Sequence, residues 1–402
     1  MNDAGTGTRL LRVLACSTVA LAPVEGYLIA VHPHLAKVPV VLLAVVWAVV
    51  RFRARRAPVP HPVHLVLLVL TATVLAAAAV HVAEPFALAY TLRWLPFVLT
   101  TVILIDLVSR EVPIRALLAA AVAGAVVAGG GALYSLVVEG KTRASGPMTD
   151  PNDLSYVLVA AVPLVVALVP EERRRGRAVA VLAAVVLIAG AAATFSRGGG
   201  LALLAATIWL VARRAVPLRV LAGVGAVVLG LGAVAAWLSG TELARASSEK
   251  AFIAQSNVDT RELRWQIAAR MLADSPVFGT GPGGFRSEYT PVSRLAEIGE
   301  QTPVAHNMYL EVGAELGLPG LLAFFGVLAV AGLATERALR HGADRRLVVP
   351  LQASLLAVLV ASLFLSQQYY LALWFVVALA CAAELMTRRR ETVEHARPAR
   401  DQ

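Results

Sequence analysis

Charge is scarce in this chain: only 15% of its 402 residues are Asp, Glu, Lys or Arg, and just three of its 36 basic residues are lysine. A soluble domain carries about 25% charged residues, so the two or three soluble domains suggested by length alone are excluded. Cysteine is nearly absent as well. Cys16 and Cys381 both fall inside apolar runs, which argues against a disulfide framework. No G-x-x-x-x-G-K-[ST] loop occurs, which counts against an ATP-driven pump encoded in this chain alone.

What the chain has instead is apolar surface. Hydrophobic residues make up 58% of it and the mean hydropathy is +0.72, against roughly 45–50% apolar residues in a soluble domain. The excess has to face lipid, so the fold class is an all-α polytopic membrane protein. A span needs about 20 mostly apolar residues, and twelve segments qualify: 10–31, 35–50, 63–82, 88–108, 114–138, 154–170, 178–195, 199–212, 218–238, 308–333, 348–365 and 371–387. The first is followed by no small-residue cleavage site and is expected to be retained.

The net charge of +10 then divides by side. Twenty-four basic residues fall in alternate segments that include Arg51–Arg56, Arg173–Arg177, Arg337–Arg346 and the C-terminal tail. Short basic loops face the cytoplasm, which places both termini there and accounts for the charge without nucleic acid as a partner. The expected organisation is an N-terminal bundle of about nine spans (1–238), a long extracytoplasmic loop (239–307), a C-terminal bundle of about three spans (308–387) and a basic cytoplasmic tail (388–402).

Arginine on the other side has no orienting duty and is costly near the bilayer. Four outer segments carry it or its counter-charges. The first runs from Arg143 through Gly146-Pro147 to Asp150-Pro151-Asn152, where Asp150 or Asn152 caps the next helix and Arg143 faces a candidate site. The second is Thr194-Phe195-Ser196-Arg197-Gly198-Gly199-Gly200, whose glycines are expected to leave a helix N-terminus open to an anion beside Arg197. The third is a helix opened by an Asp259/Glu262 capping box and closed by Pro276. Its period puts Arg261, Arg264, Trp265, Ala268 and Leu272 on one face, with Leu263, Ile267 and Arg270 opposite.

The fourth joins the glycine run Gly279-Thr280-Gly281-Pro282-Gly283-Gly284-Phe285 to His306-Asn307 and to Glu311 and Glu315, which must be paired or face a cavity inside an apolar span. The glycine run is not a dinucleotide fingerprint, since no strand precedes it and Pro282 interrupts it. His306, at the water–lipid boundary, suits a base or hydrogen-bond donor near neutral pH.

In this order the four segments resemble the bacterial O-antigen ligase and polymerase superfamily. The shared points are Arg-x-Ser-Gly…Pro-Asn (Arg143 to Asn152), Thr-x-Ser-Arg-Gly-Gly (Thr194 to Gly199), Arg-x-x-x-Trp (Arg261 to Trp265), the glycine run, and His-Asn-x-Tyr-Leu-Glu…Glu-x-Gly (His306 to Gly317). The resemblance covers about residues 140–330. It implies a GT-C-like fold and a glycosyltransferase of cell-envelope polysaccharide assembly, needing no metal and no cofactor.

Its donor would be a glycan on undecaprenyl diphosphate and its acceptor a polysaccharide, lipid or protein, met at the outer face of a bacterial inner membrane. His306 takes the catalytic position. Arg197, Arg261, Arg264 and Arg143 are the donor-diphosphate ligands, supported by Asn307, Glu311, Glu315, Ser196, Gly281 and Asn152, with Glu311 a candidate to set the His306 tautomer. Repeat-unit polymerisation is the near alternative. A twelve-span secondary transporter or a lipid-linked glycan flippase is the alternative from another class.

Overall fold

The computed structural model describes residues 3–170, 173–239, 260–294, 297 and 303–395. All regular structure among them is helical. In order these are α1 (Asp3–Leu21), α2 (Glu25–Val31), α3 (Val38–Ala54), α4 (Pro62–Val80), α5 (Ala87–Arg110), α6 (Ile114–Val137), α7 (Pro151–Leu168), α8 (Arg174–Ala193), α9 (Arg197–Ala212), α10 (Leu218–Ser239), α11 (260–274), α12 (Gly284–Val292), α13 (Met308–Arg340), α14 (Arg345–Ala361) and α15 (Leu371–His395).

The expected spans all fall on helices. The first is divided between α1 and α2 by a turn at Ala22–Val24 that contains Pro23. Among the described residues, nine segments are long and apolar enough to cross a bilayer; α9, the described apolar part of α10 and the 17-residue α14 are shorter. The protein is a polytopic membrane protein. The short α14 is packed against α7, α9, α13 and α15.

Three helices begin at the end of the bundle that matters below, and each start is fixed by a polar cap. Asp150 accepts from the Asn152 N–H at 2.7 Å to start α7. Ser196 accepts from Gly199 at 3.3 Å to start α9, and Asn307 accepts from Tyr309 and Leu310, both at 3.1 Å, to start α13. Such caps satisfy donors that a helix start leaves open.

The glycines of α9 have a different task from the one expected. A Cβ on Gly198 would lie 2.9 Å from Phe364, and one on Gly199 would lie 1.9 Å from Ser155 Oγ. They let α9 dock closely on α7 and on the segment after α14.

A second glycine feature bends the long α13. Gly317 sits at φ 68°, ψ −171°, and breaks the helix. The preceding loop wedges against that break: the Leu318 N–H reaches Pro276 O at 2.7 Å, and a Cβ on Gly317 would come within 2.6 Å of the Val277 backbone.

At the opposite end of the bundle, the orienting arginines do more than orient. Arg51 is buried between Asp106 and Glu111, 2.6 Å from each, and Arg110 and Trp47 also bond Asp106. Asp106 is fully buried, so these cations neutralise a charge that would otherwise be expensive to bury.

Candidate active site

His306 occupies the last turn before α13 in a left-handed backbone conformation, φ 50°. A non-glycine residue pays strain there and stays only when its surroundings fix it. They do so on both sides. The Ala305 N–H donates to Glu311 Oε2 at 2.9 Å, Arg264 donates to Val304 O at 3.3 Å, and the Met308 N–H donates to Ser362 O at 2.9 Å.

Burial, with the positive charges of Arg261 and Arg264 added, pulls the His306 imidazole down to about 4. Its ring is therefore neutral, and able to accept a proton, through the physiological range. A rate that depends on neutral His306 is expected to stay level from pH 8 to about 5 and to fall only towards pH 4. A pH–rate profile with a His306-dependent inflection near 6.5 contradicts this assignment.

Glu311 and Glu315, one turn apart on α13, are both fully buried and share one counter-charge. Arg286 Nη1 lies 3.1 Å from Glu311 and 3.2 Å from Glu315. Nothing in the local sequence flagged Arg286, because α12 reaches these carboxylates only in the folded bundle. Glu311 also accepts from Gln368 at 2.9 Å and from Ser366. Its oxygens are occupied by these partners and by the Ala305 N–H, so it fixes the loop that carries His306; the expected tautomer-setting contact is not among its hydrogen bonds.

The glycine run lies against α13 beside Glu315, with the Thr280 N–H donating to Ala314 O at 2.8 Å. Gly279 and Gly281, at φ 61° and 85°, bring this loop against the α13 backbone and the His81 side chain.

The four arginines expected at the site separate into two kinds. Arg264 is buried and double-bonded to Glu297, at 3.0 and 3.1 Å, as well as to Val304 O. It holds the strand of chain leading to His306. The buried stripe of α11 is Arg264, Ile267, Ala268 and Met271. Ile267 therefore lies on the inner face, not opposite it, because packing against Phe285 and Tyr289 of α12 selects the stripe. The Asp259 half of the expected capping box lies outside the described residues.

Arg261, half-buried, feels the charges of Arg143, Arg264 and Arg197. Burial and these neighbours lower its pKa against the opposing pull of Asp150. Arg143 bonds Thr194 O at 2.9 Å and Asn152 Oδ1 at 3.0 Å, tying the turn before α7 to the turn before α9. Arg197 is exposed at the start of α9 and makes no ion pair among the described residues. Three motifs far apart in sequence thus build one positive field beside the neutral histidine of a fourth.

Next to it lies a cavity of about 970 Å³. Its deeper wall is apolar and comes from α1, α3, α5, α7 and α15, including Val19, Val40, Phe97, Val157 and Phe375. Its polar end holds His306, Asp150, Asp153, Arg286, Gln367 and Tyr370. Arg93 also lines it, with its guanidinium 4.3 Å from the Tyr90 ring centroid. The sequence reading passed over Arg93 although a charge inside an apolar span is a usable signal. Asp153 was missed because it reads as an ordinary first-turn acid. No group of three or more His, Cys, Asp or Glu side chains able to hold a metal ion is assembled among the described residues.

Fold and site together define a class: a polytopic helical membrane protein with an arginine-lined site beside an amphipathic cavity at one end of the bundle. Residues 182–325, about a third of the chain, match the O-antigen ligase family. The match takes in Arg197, Arg261, Arg264, His306, Glu311 and Glu315, and it supports membership of the O-antigen ligase superfamily, with a glycan-transfer role in polysaccharide assembly. No curated protein matches the chain.

Proposed function

We propose that this protein transfers a glycan from an undecaprenyl-diphosphate-type donor to an acceptor hydroxyl on the outer side of a bacterial cytoplasmic membrane. In this reading both termini are cytoplasmic and the His306 end faces outward. The chain then divides as 1–238, 239–307, 308–387 and 388–402, in a GT-C-like arrangement. The observation that carries the reading is the neutral His306, fixed in a left-handed turn beside the field of Arg143, Arg197 and Arg261.

The chemistry asks little more than position and charge. The anomeric C–O bond to the diphosphate breaks, and its electron pair leaves on the diphosphate oxygen. Arg261 and Arg197, with Arg143, meet that developing charge through the planar guanidinium donors that suit phosphate oxygens. Arg264, already bonded to Glu297, holds the site rather than the donor. The acceptor oxygen forms the new C–O bond as His306 takes its proton. Because arginines supply the positive charge, no metal is needed in this scheme.

Arg261→Ala and Arg197→Ala are each expected to slow transfer from a lipid-diphosphate glycan by about 10²–10³, with thermal melting unchanged. Near-normal rates in both variants, or lipid-linked glycan movement across proteoliposomes without a new glycosidic bond, overturn the proposal. Ligase and polymerase share this chemistry. Deletion that removes a ladder of lipid-linked products marks a polymerase, and deletion that strips glycan from a different acceptor marks a ligase.

A further inference from the structure

We infer that Asp153 and Gln367 form the subsite that grips the acceptor sugar, binding hydroxyls next to the one that reacts. This rests on glycan transfer at His306. Asp153 stands on the first turn of α7 and accepts hydrogen bonds from Gln367 Nε2 at 2.5 Å and Tyr370 Oη at 2.7 Å. Both donors are neutral, both come from the segment between α14 and α15, and no ion pair reaches Asp153 among the described residues. A carboxylate offers about four lone-pair sites, and only two are filled here.

Gln367 supplies the second, independent sign. It is 2% exposed, it stands in the cavity wall, and its Oε1 is buried with no partner among the described residues. A buried acceptor left unpaired is costly, and native structures rarely keep one without a reason. A ligand O–H is such a reason. The amide gives its N–H to Asp153 and its oxygen has no donor among the described residues, so an unpaired amide acceptor and a carboxylate with open sites belong to one hydrogen-bonded pair in the cavity wall. Neighbouring sugar hydroxyls are the matching donors.

Charge assigns the subsite to the acceptor instead of the donor. The charges of Arg143 and Arg197 are felt by Arg261, and none of the three lines the cavity. The cavity side carries Glu25, Asp150 and Asp153. Of the cations in the same wall, Arg286 is occupied by Glu311 and Glu315, and Arg93 is exposed over Tyr90; Lys37 stands at the start of α3. The arginines assigned to the diphosphate stand outside this wall, whereas the acceptors in it suit an uncharged sugar rich in O–H donors. A pocket with largely apolar walls and a few converging polar groups also fixes orientation. His306, in the same cavity wall, then meets the hydroxyl that these contacts present.

The test uses the purified full-length protein in nanodiscs and two probes read by saturation-transfer NMR and competition. One probe is a lipid-free oligosaccharide released from the source bacterium's own surface glycan; the other is undecaprenyl diphosphate without sugar. Asp153→Asn and Gln367→Leu are expected to weaken oligosaccharide binding about ten- to hundredfold and to leave undecaprenyl diphosphate within about twofold. Arg261→Ala is expected to give the reverse pattern.

In transfer assays the acceptor KM of Gln367→Leu rises while kcat at saturating acceptor persists, which a merely structural role would not produce. Melting curves establish that each variant is folded, and Gln367→Leu carries the test if Asp153→Asn is not. Unchanged oligosaccharide binding in the folded variants of a transferring enzyme overturns this inference alone. So does a transferring wild-type protein that binds no lipid-free oligosaccharide. A wild-type protein that forms no glycosidic bond from the lipid-diphosphate donor overturns the transfer reading and this inference with it.

Discussion

His306→Ala is expected to lower glycan transfer by about 10²–10⁴, the range that a positioned general base contributes, while binding of undecaprenyl diphosphate is retained. The size follows from how completely the loop is built around this residue. Its backbone is held in a strained left-handed turn by Glu311, Arg264 and Ser362, which bond the residues on either side. Its ring is kept neutral by burial and by two nearby arginines. Replacement by glycine suits the same φ without a base, so His306→Gly separates strain from chemistry: the fold is kept or improved, and the rate is still lost. A single-turnover assay with a fluorescent lipid-diphosphate glycan reads the effect. A folded His306→Ala protein with near-wild-type turnover removes His306 from the mechanism.

Arg286→Ala carries the largest expected effect on folding. Its guanidinium stands within 3.2 Å of two fully buried carboxylates, Glu311 and Glu315. Removing it leaves two buried carboxyl groups one turn apart with no cation between them, a change that costs about 3–5 kcal/mol when a buried pair is broken. A lower melting temperature in detergent and loss of transfer are expected together, because Glu311 also holds the Ala305 amide beside His306. Pairing Arg286→Ala with Glu315→Gln removes one of the stranded carboxyl groups. The double variant is then expected to melt above the single one, a coupling characteristic of residues in direct contact. A single variant that melts like wild type shows that the two carboxylates do not depend on this arginine.

Much of the candidate site was legible where the signal is local. Asp150 read as a cap because its side chain satisfies a backbone donor two residues away; Ser196 and Asn307 cap their helices as well, a role their sequence context did not assign them. Glu311 and Glu315 read as paired because charges in an apolar span must be. What the sequence did not give was the identity of the partners. At the helix start expected to be open to an anion, the Gly199 N–H is taken by Ser196, and Gly198 and Gly199 let Phe364 and Ser155 come close. The glycine run from Gly279 is pressed against the α13 backbone at Ala314 and Glu315. Arg264, expected on the donor, is bonded to Glu297.

The sequence by itself determined that this chain lives in a bilayer, where its helices run and which arginines stand apart from the orienting set. Composition and period act over a few residues, so no fold is needed to read them. Only the tertiary structure decided which charges are free. Arg286 meets Glu311 across 25 residues and Tyr370 meets Asp153 across 217. No local pattern encodes such pairs, because burial makes a partner obligatory without naming it, and the packing of α7, α12, α13 and the segment before α15 supplies the name.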